Sequence, residues 1–404
     1  MKVLQINCVY KSGSTGKIVN DIHNVLLKNG IESVVCYGRG EMINEPFVYK
    51  TSTELEAKLN NLKSRLGGLQ YGGCIIATHK LLNIIKKEKP DVVHLHCING
   101  FFVNIYKLVE FLKKNNIPTA LTLHAEFMHT GSCGHAYECN RWKTGCGKCP
   151  NLKKATLSYL FDRTAKSWRK MKAAFDGFNN IEIVSVSPWL EGRAKQSPIL
   201  SEFKHLTVLN GIDYETFKRR KADDLRKKHG LDGKYVIVHV TANFNSKEKG
   251  GQYIKELAKR LDDDAVIVVI GSRERSDGLP KNIIDVGRVE NQTELARYYS
   301  MADLSVITSK KETFSMPVAE SLCCGTPVVG FMAGGPESIA ITEYSDFTEY
   351  GDIDGLEKLI EKWKKTAADR AQIELCAKEK YSKQRMTSEY MNIYKNLLDM
   401  EGHK

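Results

Sequence analysis

Short runs of β-branched and other apolar residues alternate with stretches of helical apolar spacing, and the alternation restarts near the middle of the chain. The runs are nearly continuous in apolar character, which is typical of strands buried on both faces of a parallel sheet. Helices between successive strands would then cover both faces of each sheet. The pattern predicts an α/β protein with two doubly wound parallel-sheet domains, for which 404 residues suffice.

Each half of the chain predicts five strands. They occupy residues 2–8, 33–37, 91–97, 119–123 and 181–187 in the first half, and 234–241, 265–271, 283–287, 303–308 and 326–331 in the second. Helical spacing predicts helices at 15–29, 78–89, 104–115, 250–261, 292–301 and 317–324.

A turn at Asn210 and Gly211 divides the two series, so we expect a first domain at 1–209 and a second at 210–384. The stretch 367–398 is charged and amphipathic, with no strand after it. Its apolar residues fit a helix, and we expect residues 385–404 to pack back on the first domain.

The excess of basic over acidic side chains lies in the first half of the chain. The formal net charge is +12, and residues 1–200 alone carry 28 basic against 15 acidic side chains. Such an excess suits an anionic partner: nucleic acid, a phosphate-bearing substrate or an anionic membrane surface. The N-terminus lacks the pattern of a secretory signal, and no apolar run is long enough to span a bilayer, so we expect a cytoplasmic protein that is soluble or peripheral at the inner face of a membrane.

The segment 309–325, SKKETFSMPVAESLCCG, indicates a phosphate site after a strand. Ser315 is the predicted N-cap of a helix with Pro317 in its first turn, which places the amides of residues 313–316 at a helix N-terminus, where phosphate binds readily. Glu312 precedes this helix and Glu320 lies about one turn inside it. A carboxylate in such a position can accept hydrogen bonds from both hydroxyls of a ribose.

The glycine loop KSGSTGKIV at 11–19 follows the first strand and opens a helix, but its spacing fits neither a Walker A motif nor G-x-G-x-x-G. Its Gly13 and Gly16 still allow the backbone to approach a phosphate or a sugar.

Four cysteines fall within 17 residues, as C-x5-C-x6-C-x2-C: Cys133, Cys139, Cys146 and Cys149. The closing C-x2-C is a spacing that zinc and iron–sulfur sites use, and His129 and His135 are nearby substitutes. Free thiols and disulfides are the alternatives that the spacing leaves open.

These motifs, with DVVHLH, TLH, NGID, Lys249-Gly250 and the GGPES loop at 334–338, resemble glycosyltransferase family 4 over almost the whole chain. ETFSMPVAE is similar to the E-x7-E signature of its retaining members. The resemblance implies the GT-B fold, two Rossmann-like domains facing each other across a cleft. The chain further resembles bacterial exopolysaccharide, capsule and O-antigen enzymes of this family, some of which have a similar cysteine-rich loop.

The resemblance also implies residue roles. Glu320 would hold the donor ribose, Glu312 the hydroxyls of the donor sugar, Lys249 the diphosphate, and His124 the donor sugar from the opposite domain. The remaining donor-binding candidates are Gly13, Gly16, Asn243, Thr313, Phe314, Ser315 and Met316. The chain departs from the family where Phe244 replaces an arginine, about five residues before Lys249, and where Ala125 replaces the Asp after TLH.

The expected activity is hexose transfer from a nucleotide diphosphate sugar, with UDP favoured and GDP open, to a glycan or lipid-linked glycan acceptor. No catalytic cofactor is expected, because helix amides and Lys249 can carry the diphosphate charge; a structural zinc ion is the one metal considered. A sugar-nucleotide epimerase or a phosphorylase of related fold is the alternative enzyme. A basic nucleic-acid-binding protein with a metal knuckle is the alternative of another class, although we expect no nucleic acid among the partners.

Overall fold

The structure, a computed structural model, describes residues 1–272 and 278–399, without the side chain of Ala155. Residues 400–404 of the predicted C-terminal helix lie outside this range. The chain forms two compact units, Met1–Leu209 together with the chain from Met386, and Asn210–Arg385. Each unit contains one entirely parallel sheet with interleaved helices, which confirms the predicted fold class.

The first unit has seven strands in the order β3-β2-β1-β4-β5-β6-β7. The strands are β1 (Lys2–Asn7), β2 (Glu32–Tyr37), β3 (Val48–Lys50), β4 (Val92–Leu95), β5 (Thr119–Leu123), β6 (Ile181–Ser185) and β7 (Lys204–Thr207). The helices are α1 (Gly13–Lys28), α2 (Glu54–Gly67), α3 (Ile75–Glu88), α4 (Ile105–Lys114), α5 (Phe127–Thr130), α6 (Leu152–Ala155), α7 (Thr164–Phe175) and α8 (Pro188–Ala194), with a 3-10 turn at Arg141–Lys143.

The second unit has six strands in the order β10-β9-β8-β11-β12-β13. The strands are β8 (Tyr235–Val240), β9 (Ala265–Ile270), β10 (Ile283–Gly287), β11 (Leu304–Ile307), β12 (Val328–Phe331) and β13 (Ser345–Thr348). The helices are α9 (Asp223–Lys228), α10 (Gly251–Ala258), α11 (Gln292–Met301), α12 (Met316–Cys323), α13 (Gly335–Ile339), α14 (Ile353–Lys364) and α15 (Arg370–Tyr381), with a 3-10 turn at Thr342–Tyr344; α16 (Lys383–Asp399) follows.

The ten predicted strands are all present, but three further strands, β3, β7 and β13, were not predicted. They are three or four residues long and form sheet edges. Edge strands have one exposed side, so their sequences, VYK, KHLT and SDFT, lack a continuous apolar run. The stretch 367–398 also differs from a single helix, because Ser382 is extended and separates α15 from α16.

The last helix, α16, completes the core of the first unit. Five of its buried side chains, Met386, Tyr390, Ile393, Tyr394 and Leu397, belong to the same apolar cluster as residues of β1, α1, β4 and β5. Burying each such side chain contributes about 1.5–3 kcal/mol. The helix therefore belongs energetically to the first unit, although nearly all of the second unit precedes it in the chain.

Candidate active site

The predicted site residues lie at the carboxyl ends of parallel strands, beside the point in each sheet where the strand order reverses. In the first unit this point is between β1 and β4, and in the second it is between β8 and β11. Ligands of open α/β sheets bind at such switch points. The glycine loop follows β1 and His124 follows β5, while Lys249 follows β8 and Glu312 follows β11.

Lys249 and Glu312 form an ion pair that joins the loops after β8 and β11. The Lys249 ammonium lies 2.5 Å from Oε1 of Glu312, and the two side chains are 36% and 22% exposed. A hydrogen bond holds the backbone of Lys249, because the hydroxyl of Thr308 donates to the Lys249 carbonyl at 3.0 Å. A Cβ at Gly250 would lie 2.1 Å from the carbonyl oxygen of Thr308, so only glycine permits this approach.

The loop before α12 has an unusual backbone conformation at Ser315. Its φ is +83° and its ψ is 86°, and its side chain makes no capping hydrogen bond. Ser315 therefore occupies the predicted N-cap position without capping the helix through its hydroxyl. A non-glycine residue with positive φ costs about 1–3 kcal/mol, and such strain is concentrated at functional sites.

The GGPES loop supports this strained segment from the other side. The N–H of Gly335 donates to the carbonyl of Glu312 at 2.9 Å, and a Cβ on Gly335 would lie 2.6 Å from the backbone nitrogen of Phe314. Glu337 accepts hydrogen bonds from the N–H groups of Ala333 and Gly334 at 2.9 and 2.7 Å. The absence of a side chain at Gly335 thus allows the GGPES loop to pack directly against the backbone of the loop before α12.

The first residues after Met316 in α12 add no amide to those predicted from the sequence. Pro317 has no N–H, and the N–H of Val318 donates to the carbonyl of Ser315 at 3.2 Å. A phosphate cradle at this helix would therefore depend on the amides before Pro317, the predicted residues Thr313 to Met316. Phe314 and Ser315 are themselves buried, which holds this backbone in place.

Glu320 is a buried carboxylate, with 8% of the residue exposed. The hydroxyl of Tyr299 donates to its Oε2 at 3.2 Å. Burial and the Glu320 charge raise the pKa of Tyr299 well above its usual value, so the tyrosine remains a donor at neutral pH. Tyr299 was not predicted as a site residue, because a tyrosine in a helix 21 residues earlier has no sequence signal that links it to Glu320.

Phe244, which replaces the family's arginine, is a core residue. It is 1% exposed, its ring packs edge-on against His239 with the centroids 6.0 Å apart, and a Cβ on Gly251 would lie 1.9 Å from its carbonyl oxygen. The neighbouring Asn243 is exposed, and its N–H donates to Thr241. The Phe244 position therefore contributes packing to the second unit in place of a positive charge.

Three histidines adjoin one another in the first unit. His94 lies between two hydroxyls, those of Tyr394 on α16 and Thr122, each 2.7 Å from a ring nitrogen. Its ring is tilted against that of His96 with the centroids 3.8 Å apart, and His96 stacks on His124 with the centroids 5.6 Å apart. Only His124 of the three was predicted as a site residue.

The hydrogen bonds of this cluster define the tautomer of His124. The amide nitrogen of Gln5 donates to the carbonyl of Val19, so Oε1 of Gln5 faces Nε2 of His96 at 3.3 Å and requires a proton there. Burial lowers the pKa of His96 well below its usual value, so its Nδ1 accepts from Nε2 of His124 at 3.3 Å. Burial also lowers the pKa of His124 to about 4. At neutral pH Nε2 of His124 therefore carries a proton and donates it in a hydrogen bond to His96.

The glycine loop of the first unit is tied to its strand. Gly13, with φ +62°, begins α1, and a Cβ there would meet open space. A Cβ on Gly16 would lie 3.3 Å from the nitrogen of Lys11, whose N–H donates to the carbonyl of Gly16. Asn7 donates to the carbonyl of Val9 at 2.7 Å. The loop backbone is thus held close to the end of β1.

The four cysteines predicted as metal ligands line one cavity of about 20 Å³, together with Trp142 and Thr164. All four are free thiols, and burial raises the pKa of Cys133 and of Cys146 to about 12. Within residues 1–272 and 278–399, no three His, Cys, Asp or Glu side chains are placed so that they could hold a metal ion. The four cysteines thus line one cavity, but their side chains are not placed at the distances and angles of metal ligands.

The predicted substitute ligand His129 lies beside Glu126. It is fully buried, and its Nε2 lies 3.4 Å from Oε1 of Glu126. Glu126 also pairs with Arg193 and accepts from the N–H of Ala136 at 2.7 Å. This buried network holds the start of the cysteine loop to the first unit.

Solved structures share this architecture over nearly the whole chain. Sucrose-phosphate synthase from Thermosynechococcus elongatus matches with a TM-score of 0.70 at 14% identity, covering 99% of this chain and all of that one. Anabaena Alr3699/HepE in complex with UDP-glucose matches with a TM-score of 0.63 at 14% identity, covering both chains completely. WaaG, a glycosyltransferase of lipopolysaccharide biosynthesis, gives a TM-score of 0.60. The two sheets with their switch points define a GT-B fold, as predicted.

The sequence comparisons give the activity class. Residues 221–380 match the family described as Glycosyl transferases group 1. The putative colanic acid biosynthesis glycosyl transferase WcaC of Escherichia coli K12 is 24% identical over 98% of this chain and all of its own length. The N-acetyl-alpha-D-glucosaminyl L-malate synthase of Bacillus anthracis is 25% identical over 48% of this chain and 54% of its own. The protein is a glycosyltransferase whose second unit carries a group 1 domain, and it is a homologue of WcaC.

Proposed function

We propose that the protein is a retaining transferase of glycosyltransferase family 4 that moves a hexose from a nucleotide diphosphate sugar to a glycan or lipid-linked glycan. The observation that carries the proposal is the contact between Lys249 and Glu312 beside the strained start of α12. It places a cation, a carboxylate and helix amides at one switch point. UDP is the favoured nucleotide, because structural neighbours of this fold include complexes with UDP and UDP-glucose.

Lys249 would stabilise the leaving diphosphate, whose negative charge grows as the glycosidic bond breaks. The carbon–oxygen bond between the sugar and the diphosphate breaks, and a new bond forms to the acceptor oxygen on the same face. The acceptor proton passes to a phosphate oxygen of the leaving group, so this front-face reaction requires no enzyme nucleophile and no catalytic cofactor. Glu312 would accept hydrogen bonds from hydroxyls of the donor sugar, and His124 would also hold this sugar.

Glu320 would hold the ribose through oxygen atoms that its buried position keeps at a fixed place. We further propose that the acceptor belongs to bacterial surface polysaccharide synthesis, since WcaC is named for colanic acid biosynthesis. The reaction would then occur in the cytoplasm at the inner membrane face. Among the described residues, no helix is both long and apolar enough to cross a bilayer.

A thermal-shift screen with UDP, GDP, ADP and TDP tests the donor site. A ligand at 100 times its dissociation constant adds about 2.7 kcal/mol of stability, which shifts the melting temperature measurably. We expect the shift with UDP to disappear in Glu320→Gln and to persist in Glu349→Gln, which changes an exposed glutamate of the same unit. The proposal fails if none of the four nucleotides stabilises the protein, or if Glu320→Gln leaves the shift intact.

A product assay with labelled donor separates the transferase from its alternatives. An epimerase would release an epimerised sugar nucleotide without any acceptor, and a phosphorylase would release sugar phosphate. The transferase should form glycoside only when acceptor is present, and NMR of the product should show the anomeric configuration of the donor. Salt-sensitive binding of nucleic acid that is unaffected by Glu320→Gln would instead support the basic binding protein.

A further inference from the structure

Helix α2 exposes its leucines and buries its small residues. Leu55, Leu59, Leu62 and Leu66 recur at helical spacing and are 69%, 51%, 53% and 46% exposed. Ala57 and Ser64 are the buried residues of the same helix. The leucine side of an amphipathic surface helix normally packs on the core. Here it faces away from the first unit and remains available to another surface.

Two more exposed apolar segments adjoin α2. Ile75 and Ile76, at 70% and 77% exposed, begin α3, which is anchored to α2 because the N–H of Cys74 donates to Asn60 at 3.0 Å. The segment 157–161 contains Leu157, Tyr159, Leu160 and Phe161, each between 39% and 64% exposed. It meets the end of α2 where the N–H of Tyr159 donates to the carbonyl of Arg65 at 2.8 Å.

We call this surface, comprising the exposed apolar residues of 55–66, 75–76 and 157–161, the apolar face. It contains ten of the sixteen large hydrophobic residues that are exposed in the described part of the chain. Such residues are normally scattered singly over a protein surface. Their concentration on three adjoining segments therefore indicates a binding surface.

The charges around the apolar face are basic. Lys58 and Lys63 are exposed on α2 between the leucines, and the exposed Lys153 and Arg163 flank the segment 157–161. The neighbouring acids are engaged within the fold: Glu54 pairs with Arg39, Glu56 accepts from the N–H of Ala77, and Asp162 accepts from the N–H of Cys149. Four exposed cations thus stand against three acids, of which Glu54 is paired with Arg39, so the surface is predominantly positive.

We propose that the apolar face docks on an anionic lipid bilayer, with the leucines of α2 inserted at the level of the headgroups and the lysines beside lipid phosphates. A helix with leucines on one side and lysines at their border is the pattern that lies in a membrane interface. A second copy of this chain would instead bring two basic surfaces together, which electrostatic repulsion opposes. This docking is distinct from the transfer reaction and does not depend on it.

Co-sedimentation of the full chain with lipid vesicles tests the docking. We expect binding to vesicles of equimolar phosphatidylglycerol and phosphatidylcholine, weaker binding at high salt, and little binding to pure phosphatidylcholine. The L59S/L62S variant should partition about 100-fold less, because each of the two leucines inserted in the bilayer contributes about tenfold. K58Q/K63Q should bind the anionic vesicles more weakly, by about fivefold per lysine, and should bind pure phosphatidylcholine as the wild type does.

The matched control is Leu27→Ser, which changes a leucine that is 48% exposed on α1 of the same unit. Its vesicle binding and that of the wild type should agree, and all variants should keep the wild-type melting temperature because the altered side chains are exposed. Wild-type protein that stays in the supernatant with anionic vesicles would overturn the proposal. So would equal binding by L59S/L62S and Leu27→Ser, or light scattering that shows a dimer which L59S/L62S dissociates.

Discussion

The ammonium of Lys249 lies 2.5 Å from the carboxylate of Glu312, in the loops that follow the two central strands of the second sheet. In this arrangement the cation is already held at the switch point by a carboxylate. A diphosphate bound there, as we propose, would compete with Glu312 for the same ammonium. The pair therefore keeps Lys249 near the position where the leaving group would need it.

Replacing Lys249 with alanine should affect catalysis far more than stability. A partly exposed ion pair contributes about 0–1 kcal/mol, so the melting temperature should change little. Loss of a group that stabilises developing charge lowers kcat by about 100- to 1,000-fold. Steady-state kinetics and thermal denaturation of the same preparation measure the two effects. The control Lys364→Ala removes a comparable pairing with Asp262 and Asp264, and normal kinetics in Lys249→Ala would refute the role.

Replacing Gly250 with alanine should destabilise the second unit. The added Cβ would lie 2.1 Å from the carbonyl oxygen of Thr308, and the backbone φ is +75°. Together we expect a loss of about 2–4 kcal/mol in the free energy of unfolding, measured by urea denaturation. Gly233→Ala has a similar φ of +72° but meets open space, so it isolates the conformational part. Equal losses in the two variants would contradict the close approach to Thr308.

Acid should destabilise the protein between the pKa of an unfolded histidine, about 6.5, and the lower values of the folded state. Burial lowers the pKa of His94 and His96 well below 6.5 and that of His124 to about 4. Below about pH 6.5 the unfolded chain binds more protons, so the free energy of unfolding falls as the pH falls, by up to about 1.4 kcal/mol per pH unit for each histidine.

Urea denaturation at several pH values measures this slope. His94→Gln should lower stability but flatten the pH dependence, whereas the exposed His79→Gln should leave the slope unchanged. An unchanged slope in His94→Gln would mean that His94 is not a source of the acid sensitivity.

A structural zinc ion remains our proposal for the cysteine loop. The cavity of about 20 Å³ has room for one ion, but the thiols would have to turn inward to reach ligand distances near 2.3 Å. Metal analysis of the purified protein should then give about one zinc per chain, reduced by Cys146→Ser and unchanged by Cys376→Ser. If the purified protein contains no metal and these four thiols react with a thiol reagent under native conditions, the free-thiol alternative would be favoured.

Much of this architecture could be predicted from sequence, because buried parallel strands have continuous apolar runs and glycines mark the loops after them. The edge strands could not, since β7 and β13 lack such runs. The outward orientation of the α2 leucines could not either, because leucines at helical spacing normally face the core. In the site, Lys249 and Glu312 were predicted from motif positions. The roles of Gln5, His96 and Tyr299 could not be predicted, because they arise from hydrogen bonds between residues 21 to 91 positions apart.

The chain leaves the first unit after Leu209 and returns to it at Met386. There α16 brings the hydroxyl of Tyr394 to His94 and that of Tyr390 to Thr122. A fragment that stops at Leu209 would lack α16. The apolar residues that α16 covers would then be exposed and would promote aggregation. Hybrid proteins made by exchanging the second unit between homologues should therefore take the final helix from the parent that supplies the N-terminal half. The segment to exchange is residues 210–385, which must be joined to the first unit at both of its ends.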